Sequence, residues 1–136
     1  MSTELGDLLV SQGSLSEADL RAALSLQRGG DLSLPQALLK QGLVEESVVY
    51  RALASQNGMP FVDLDKGNIR QEIIDRVPAE MAAEQGILPL MEKDGALVVA
   101  IDDPLKRIVA DQLSFVIGGE IRCALASPSA LGRALA

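Results

Sequence analysis

Three groups of side chains in this 136-residue sequence are of types that carry chemistry in other proteins. Asp102 and Asp103, with Asp111 further along, are the hard oxygen donors that a divalent cation takes. Glu45 and Glu46 offer paired carboxylates for acid/base work, and Cys123 offers a thiol nucleophile. Each group also has a plainer reading. An Asp102-Asp103-Pro104 run ahead of a helix is accounted for by capping and by the helix dipole. Adjacent helical residues diverge by about 100°, so Glu45 and Glu46 read as a solvated first turn. Cys123 lies in an apolar, strand-like run and reads as a small buried hydrophobe of a reducing compartment. The sequence has no His, which removes the Ser-His-Asp triad, the Cys-His pair and the usual zinc ligand sets. The residues therefore support no catalytic site, no metal site and no cofactor, and the expectation is a protein that is not an enzyme.

Charge and aromatic content narrow the partners. Nineteen acids against 12 bases give a net charge of −7, which repels phosphate polymers. Tyr50, Phe61 and Phe115 are the only aromatics, too few for base-stacking platforms, so no nucleic-acid partner is expected. The longest apolar stretch, residues 87–101, is cut by Glu92, Lys93, Asp94 and Gly95. It falls short of the roughly 18 to 20 residues that a membrane span needs, and no signal peptide is recognisable. The expected location is the cytoplasm, with no direct membrane insertion.

An internal repeat organises the first half. Offset by 29 residues, Glu4–Gln27 aligns with Ser33–Gln56, with eight identities in 24 positions. The identical pairs include Leu9/Leu38, Gly13/Gly42, Leu24/Leu53 and Gln27/Gln56, where chance in so Leu- and Ala-rich a chain gives roughly two matches. Each unit reads as helix, turn, helix. Leu5, Leu8 and Leu9 share a helical face, Gly13 supplies the stop, Ser16 an N-cap, and Leu20, Ala23, Leu24 and Gln27 recur at i, i+3, i+4 and i+7. The second unit repeats this with Leu34, Leu38, Leu39, Gly42, Val49, Ala52, Leu53 and Gln56. Neither unit can bury its stripe alone, so two should pack as a four-helix pair joined by the turn at residues 28–32.

Beyond Asn57-Gly58 the pattern changes. Residues 59–64 read as a short extended edge segment, residues 69–76 and 79–84 as helices, and 87–91 and 96–101 as a hairpin about Asp94-Gly95. A helix over 105–117 follows, with Leu105, Ile108, Val109, Leu113, Val116 and Ile117 as its core face and Lys106 and Arg107 outward. Gly118-Gly119 ends it, 120–125 is a third strand, and Ser127-Pro128 opens a last helix over 129–136. The expected class is α+β. Residues 1–58 form the helical repeat pair and 59–136 a small α/β subdomain of three or four strands.

These residues resemble a known family. Leu5-Gly6, Leu9, Gly13, Leu20, Leu24 and Gln27 match an Arg-Leu-Gly-x-x-Leu-x-x-x-Gly…Leu-x-x-x-Leu-x-x-Gln motif. That motif is typical of the N-terminal domain of type II secretion and type IV pilus assembly ATPases. The tandem copy, residues 60–64, Val77-Pro78, Leu88-Pro89-Leu90 and residues 99–105 resemble that domain in the same order. In the family it precedes a hexameric ATPase. The roles implied are docking to the cytoplasmic domain of an inner-membrane assembly protein and, in one branch, binding of cyclic di-GMP. No Gly-x-x-x-x-Gly-Lys-Ser/Thr phosphate loop occurs in these 136 residues, so the ATPase chemistry is not here, and the chain is either an isolated domain or a stand-alone relative.

Two function classes follow from the resemblance. As a ligand sensor, Leu5, Gly6, Leu9, Gly13, Leu20, Leu24 and Gln27 with Leu34, Leu38, Gly42, Leu53 and Gln56 would cover the two halves of a two-fold ligand. The motif's arginines, however, are Glu4 and Ser33 here, and its second Leu-Gly is Leu34-Pro35. At 4 Å a carboxylate beside a phosphate costs on the order of 1 to 4 kcal/mol, depending on screening. As a docking module, the leucines are core, the glycines are stops, and an acidic face with Glu4, Asp7, Glu17 and Asp19 meets a basic partner.

Overall fold

The computed structural model describes residues 4–42, 44–66 and 69–135. The chain divides into two compact units, residues 1–57 and 58–136.

The first unit is helical: α1 (Glu4–Ser11), α2 (Glu17–Arg28), α3 (Leu34–Lys40) and α4 (Glu46–Gln56). Helix α1 packs on α2 and α4, and α3 packs on the same two, so each repeat closes over the other. The stripes explain why. Leu9 and its repeat mate Leu38 are both fully buried, and Leu5, Leu20, Leu34 and Val49 are buried beside them. Each such side chain is worth about 1.5–3 kcal/mol in burial. The turns recur as well. Gly13 and Gly42 adopt positive φ (79° and 69°) at equivalent places, where a Cβ would meet nothing. After α1, Gly13 N–H donates to the Val10 carbonyl and Ser14 N–H to the Leu9 carbonyl, the paired closure that a left-handed residue permits.

Two helix starts differ in chemistry. Ser16 Oγ accepts from the Asp19 backbone N–H (3.1 Å) ahead of α2. Ser33 makes a full capping box: its Oγ accepts from the Gln36 N–H (3.3 Å), and Gln36 Oε1 accepts from the Ser33 N–H (2.8 Å). Pro35 follows in the first turn, where its missing N–H would have had no helical partner anyway. Gly6 is constrained differently. A Cβ there would run into Leu20 Cδ1, so a bare backbone is what lets α1 approach α2 at this point.

The second unit is built on one three-stranded sheet in the order β1 (Leu88–Lys93), β2 (Ala96–Ile101), β3 (Ile121–Leu125). β1 and β2 are antiparallel through the Asp94-Gly95 turn, both residues at positive φ (52° and 82°), and a bulge lies between Pro89 and Met91. β2 and β3 are parallel, from Leu97 opposite Ile121 to Ile101 opposite Leu125. Their crossover is a 3-10 turn (Pro104–Lys106) and α7 (Arg107–Ile117). The extended segment after Gly58 continues the sheet past β3. Val62 N–H donates to the Leu125 carbonyl (2.9 Å) and Leu125 N–H to that of Pro60 (2.8 Å). Helices α5 (Gln71–Ile74) and α6 (Ala79–Gln85) precede β1, and α8 (Pro128–Leu135) ends the described chain. Leu88, Ala100, Ala126 and Leu131 form a buried cluster, with Val62, Leu64, Ile69, Leu90 and Leu135 packed around it.

Several expectations need correction. The helix expected over 69–76 is the single turn Gln71–Ile74, because Arg70 is extended and offers no side-chain cap. The hairpin's first strand begins at Leu88 and runs on to Lys93. The last helix begins at Pro128; Ala136 lies outside the described residues. The largest difference is in α7. Its inward positions are Ala110 and Leu113, whereas Leu105, Ile108 and Val116, expected in the core, are 77 %, 65 % and 60 % exposed. A crossover helix resting on one sheet face buries only part of its circumference, and the apolar residues of α7 extend beyond that arc. Lys106, expected outward, is only partly exposed; its Nζ lies 2.7 Å from Asp102 Oδ1. The same ammonium stands 2.6 Å from where a Cβ on Gly86 would be.

Two substitutions test these assignments by chemical denaturation. Gly6→Ala should lower stability, because overpacking against Leu20 costs about 1–3 kcal/mol and outweighs a helix-propensity gain of about 0.5–1 kcal/mol. In the Leu20→Ala background the same change should cost less, and a Gly6→Ala chain as stable as its parent would refute the close contact. Ser33→Ala should cost about 1 kcal/mol through loss of the cap, and no change would refute that role.

Candidate functional site

The repeat unit is where a ligand or partner site was expected, and the structure distributes the motif residues unevenly. Leu5, Leu9, Leu20, Leu34 and Leu38 are buried, whereas Leu24, Leu53 and Gln27 are half-buried. Gly13 and Gly42 end helices, and Gly6 admits Leu20. The leucines thus serve the helical core first, and only the half-buried ones offer any surface.

The polar positions are engaged within the chain. Gln56 Nε2 donates to Glu4 Oε2 at 3.0 Å, so the motif's first position in one repeat meets the motif's glutamine in the other. The second repeat's first position is Ser33, held in its capping box. The glycine that would follow Leu34 is Pro35, part of the same helix start. A side chain able to grip a phosphate is therefore absent from both first positions. Glu4 presents negative charge, and Ser33 uses its hydroxyl oxygen to hold the backbone of α3.

Of the four acids expected to form a face, Asp7 and Glu17 come together, along an open groove of about 320 Å³ between α1 and α2. Arg21 joins them, with Val10, Leu20 and Leu24 beneath. Glu4 lies apart from that groove in its bond to Gln56, and Asp19 is half-buried with its N–H given to the Ser16 cap. Arg21 was not anticipated, although its position four residues after Glu17 on one helix was a visible signal.

Elsewhere the potential chemistry resolves into structure. Asp103 Oδ1 accepts from the Leu105 N–H (2.9 Å) and Asp102 pairs with Lys106. Among the described residues no cluster of three or more His, Cys, Asp or Glu has the geometry to hold a metal ion. Glu45 precedes α4 and Glu46 begins it, adjacent on the first turn. Cys123 is a half-buried free thiol whose pKa is pushed up by burial and by the Asp111 charge, and partly offset by Arg107. It therefore stays protonated at neutral pH, unlike an activated nucleophile.

Comparison with known proteins gives this arrangement its context. The MshEN domain model matches residues 57–136, the α/β unit together with Asn57. The type IV pilus assembly ATPase PilB of Myxococcus xanthus (strain DK1622) is 33 % identical over 99 % of this chain, which spans 24 % of that protein. Bacteriophage adsorption protein B of Escherichia coli (strain K12) is 30 % identical over 87 % of the chain, 16 % of its own length. Among solved structures, that of MshE with cdg superposes with a TM-score of 0.80 at 25 % identity, covering 98 % of this chain and 97 % of the other. The N-terminal domain of XpsE, at 21 % identity and a TM-score of 0.68, shares the fold over 98 % of this chain and 92 % of its own. The chain thus spans about a quarter of the PilB relative while matching nearly the whole of the MshE structure. With the family model covering more than half of it, the chain belongs to the MshEN domain family, the N-terminal domains of type II secretion and type IV pilus assembly ATPases.

Proposed function

We propose that this domain is a non-catalytic docking and regulatory module that orients a secretion or pilus assembly ATPase at the cytoplasmic domain of an inner-membrane platform protein. The observation that carries the reading is the state of the motif's polar positions. The helical scaffold is complete, yet Glu4 is bonded to Gln56 and Ser33 is spent on capping α3. A scaffold kept without its anion-gripping side chains is suited to a protein partner. The exposed carboxylates Asp7 and Glu17, which share the groove, and Glu4 favour a basic one. Among the described residues no helix is long and apolar enough to cross a membrane. In this reading the platform protein's cytoplasmic domain holds the domain at the cytoplasmic side of the inner membrane.

A second reading, cyclic di-GMP sensing, is favoured by the likeness to the structure of MshE with cdg and by the partial exposure of Leu24, Leu53 and Gln27. Against it stands the charge of Glu4. Replacing a guanidinium by a carboxylate near a phosphate reverses a term on the order of 1 to 4 kcal/mol at 4 Å.

Calorimetry and co-purification separate the two. With cyclic di-GMP the chain should give no binding heat at about tens of micromolar protein. The triple variant Glu4→Arg, Ser33→Arg, Pro35→Gly should gain binding, at the expense of the α3 cap. Saturable heat from the unaltered chain would overturn the docking reading in favour of the sensor. Reversing Glu4, Asp7, Glu17 and Asp19 to lysine should weaken co-purification with the platform protein's cytoplasmic domain, and unchanged binding would sink the electrostatic version.

A further inference from the structure

The outer face of α7 is apolar and uncovered. Leu105, Ile108, Phe115 and Val116 are 77 %, 65 %, 88 % and 60 % exposed. Among the described residues they are the large apolar side chains left more than half exposed; Met91 (49 %) and Ile74 (37 %) come next. On a helical projection of α7, Ile108, Phe115 and Val116 fall within one arc with Gln112, away from the buried Ala110 and Leu113, and Leu105 precedes them in the 3-10 turn. Along α7 the three span about 12 Å, roughly two turns. Contiguous exposed apolar area of this kind marks an interaction surface.

Charge decides among the occupants. Residues 58–136 carry 12 acids and 8 bases, a balance of −4, and the whole chain stands at −7. An anionic lipid surface is repelled by such a body, and so is a second copy, which would bring another −7 against it. A polypeptide with positive charge beside an apolar stripe is attracted. We propose that the α7 face docks an amphipathic helix of a partner protein whose apolar stripe is flanked by Lys and Arg. The proposal rests on the docking role given above and assigns it a surface in the α/β unit, separate from the acids of the repeat. Helix-on-helix packing seats the partner's stripe between Ile108 and Phe115, and the Gln112 amide, enclosed by the contact, requires a hydrogen bond from the visitor and so sets its register.

The probe is a fluorescein-labelled peptide of leucine and lysine, about four turns long, with leucines in one stripe and lysines flanking it. Its companion carries glutamate in place of lysine. The 136-residue chain should bind the lysine peptide and not the glutamate one. Phe115→Ser and Ile108→Ser should each weaken binding about tenfold or more, the loss expected of a buried interface anchor. Met91→Ser, an exposed apolar change on β1, should leave it unaltered. All three positions are solvent-facing, so the variants should keep the parent's circular dichroism and Tm. Equal peptide binding by the parent and Phe115→Ser would overturn the proposal. So would sedimentation of the parent with phosphatidylglycerol vesicles that Phe115→Ser abolishes, or a dimer by light scattering that the same change dissociates. Co-purification with the platform protein's cytoplasmic domain separates this surface from the broader reading. Retained binding by Phe115→Ser refutes the α7 surface and leaves docking standing. Peptide binding that depends on Phe115, with no platform binding by the parent, refutes docking at the platform and leaves the surface.

Discussion

A helix pair of about two dozen residues cannot bury its own leucine stripe, and the first unit is shaped by that constraint. Leu9 and Leu38 reach full burial because the two repeats close on each other, α1 and α3 each lying against α2 and α4. The closure demands sharp returns at Gly13 and Gly42 and a bare backbone at Gly6. It also decides what remains for function. Side chains committed to the shared core are not on the surface, so a site on this scaffold has to be assembled from what borders it: Glu4, Gln56, Leu24, Leu53 and the groove around Arg21.

The second unit meets its burial demand with a sheet. Val99, Ala100 and Ile101 of the central strand are fully buried, and the strand is paired on both sides, antiparallel to β1 and parallel to β3. Small residues do much of the packing here, Ala100, Ala110 and Ala126 among them, which lets helices lie close. A helix that comes close with Ala110 and Leu113 has little further need of its other apolar residues, and α7 keeps three large ones, Ile108, Phe115 and Val116, on the far side. Apolar surface retained without a folding use is best explained by a use in association.

Much of this was legible in the residues. The repeat, its glycine stops, the Asp94-Gly95 hairpin and the β2-helix-β3 succession follow from spacing and turn chemistry, as does the family resemblance. The orientation of α7 was not, because its apolar residues occupy more than half of the helix circumference and periodicity cannot say which arc meets the sheet. Ser33 looked like a lost arginine when aligned to a motif, although Gln36 three residues later already spelled a capping box. The Glu4–Gln56 bond joins residues 52 apart in the chain and depends on how the repeats close, which sequence spacing alone does not contain. Arg21 stands four residues after Glu17 on α2, so its place among the acids of the groove is a matter of helical spacing alone.

Lys106 has a mechanical consequence. Its ammonium binds Asp102, which directly follows β2, and fills the space above Gly86, two residues before β1. Because the strands are antiparallel, these two points lie at the same end of the hairpin. One side chain therefore braces the open end of the hairpin against the start of α7, beside the backbone link that already runs from β2 into that helix.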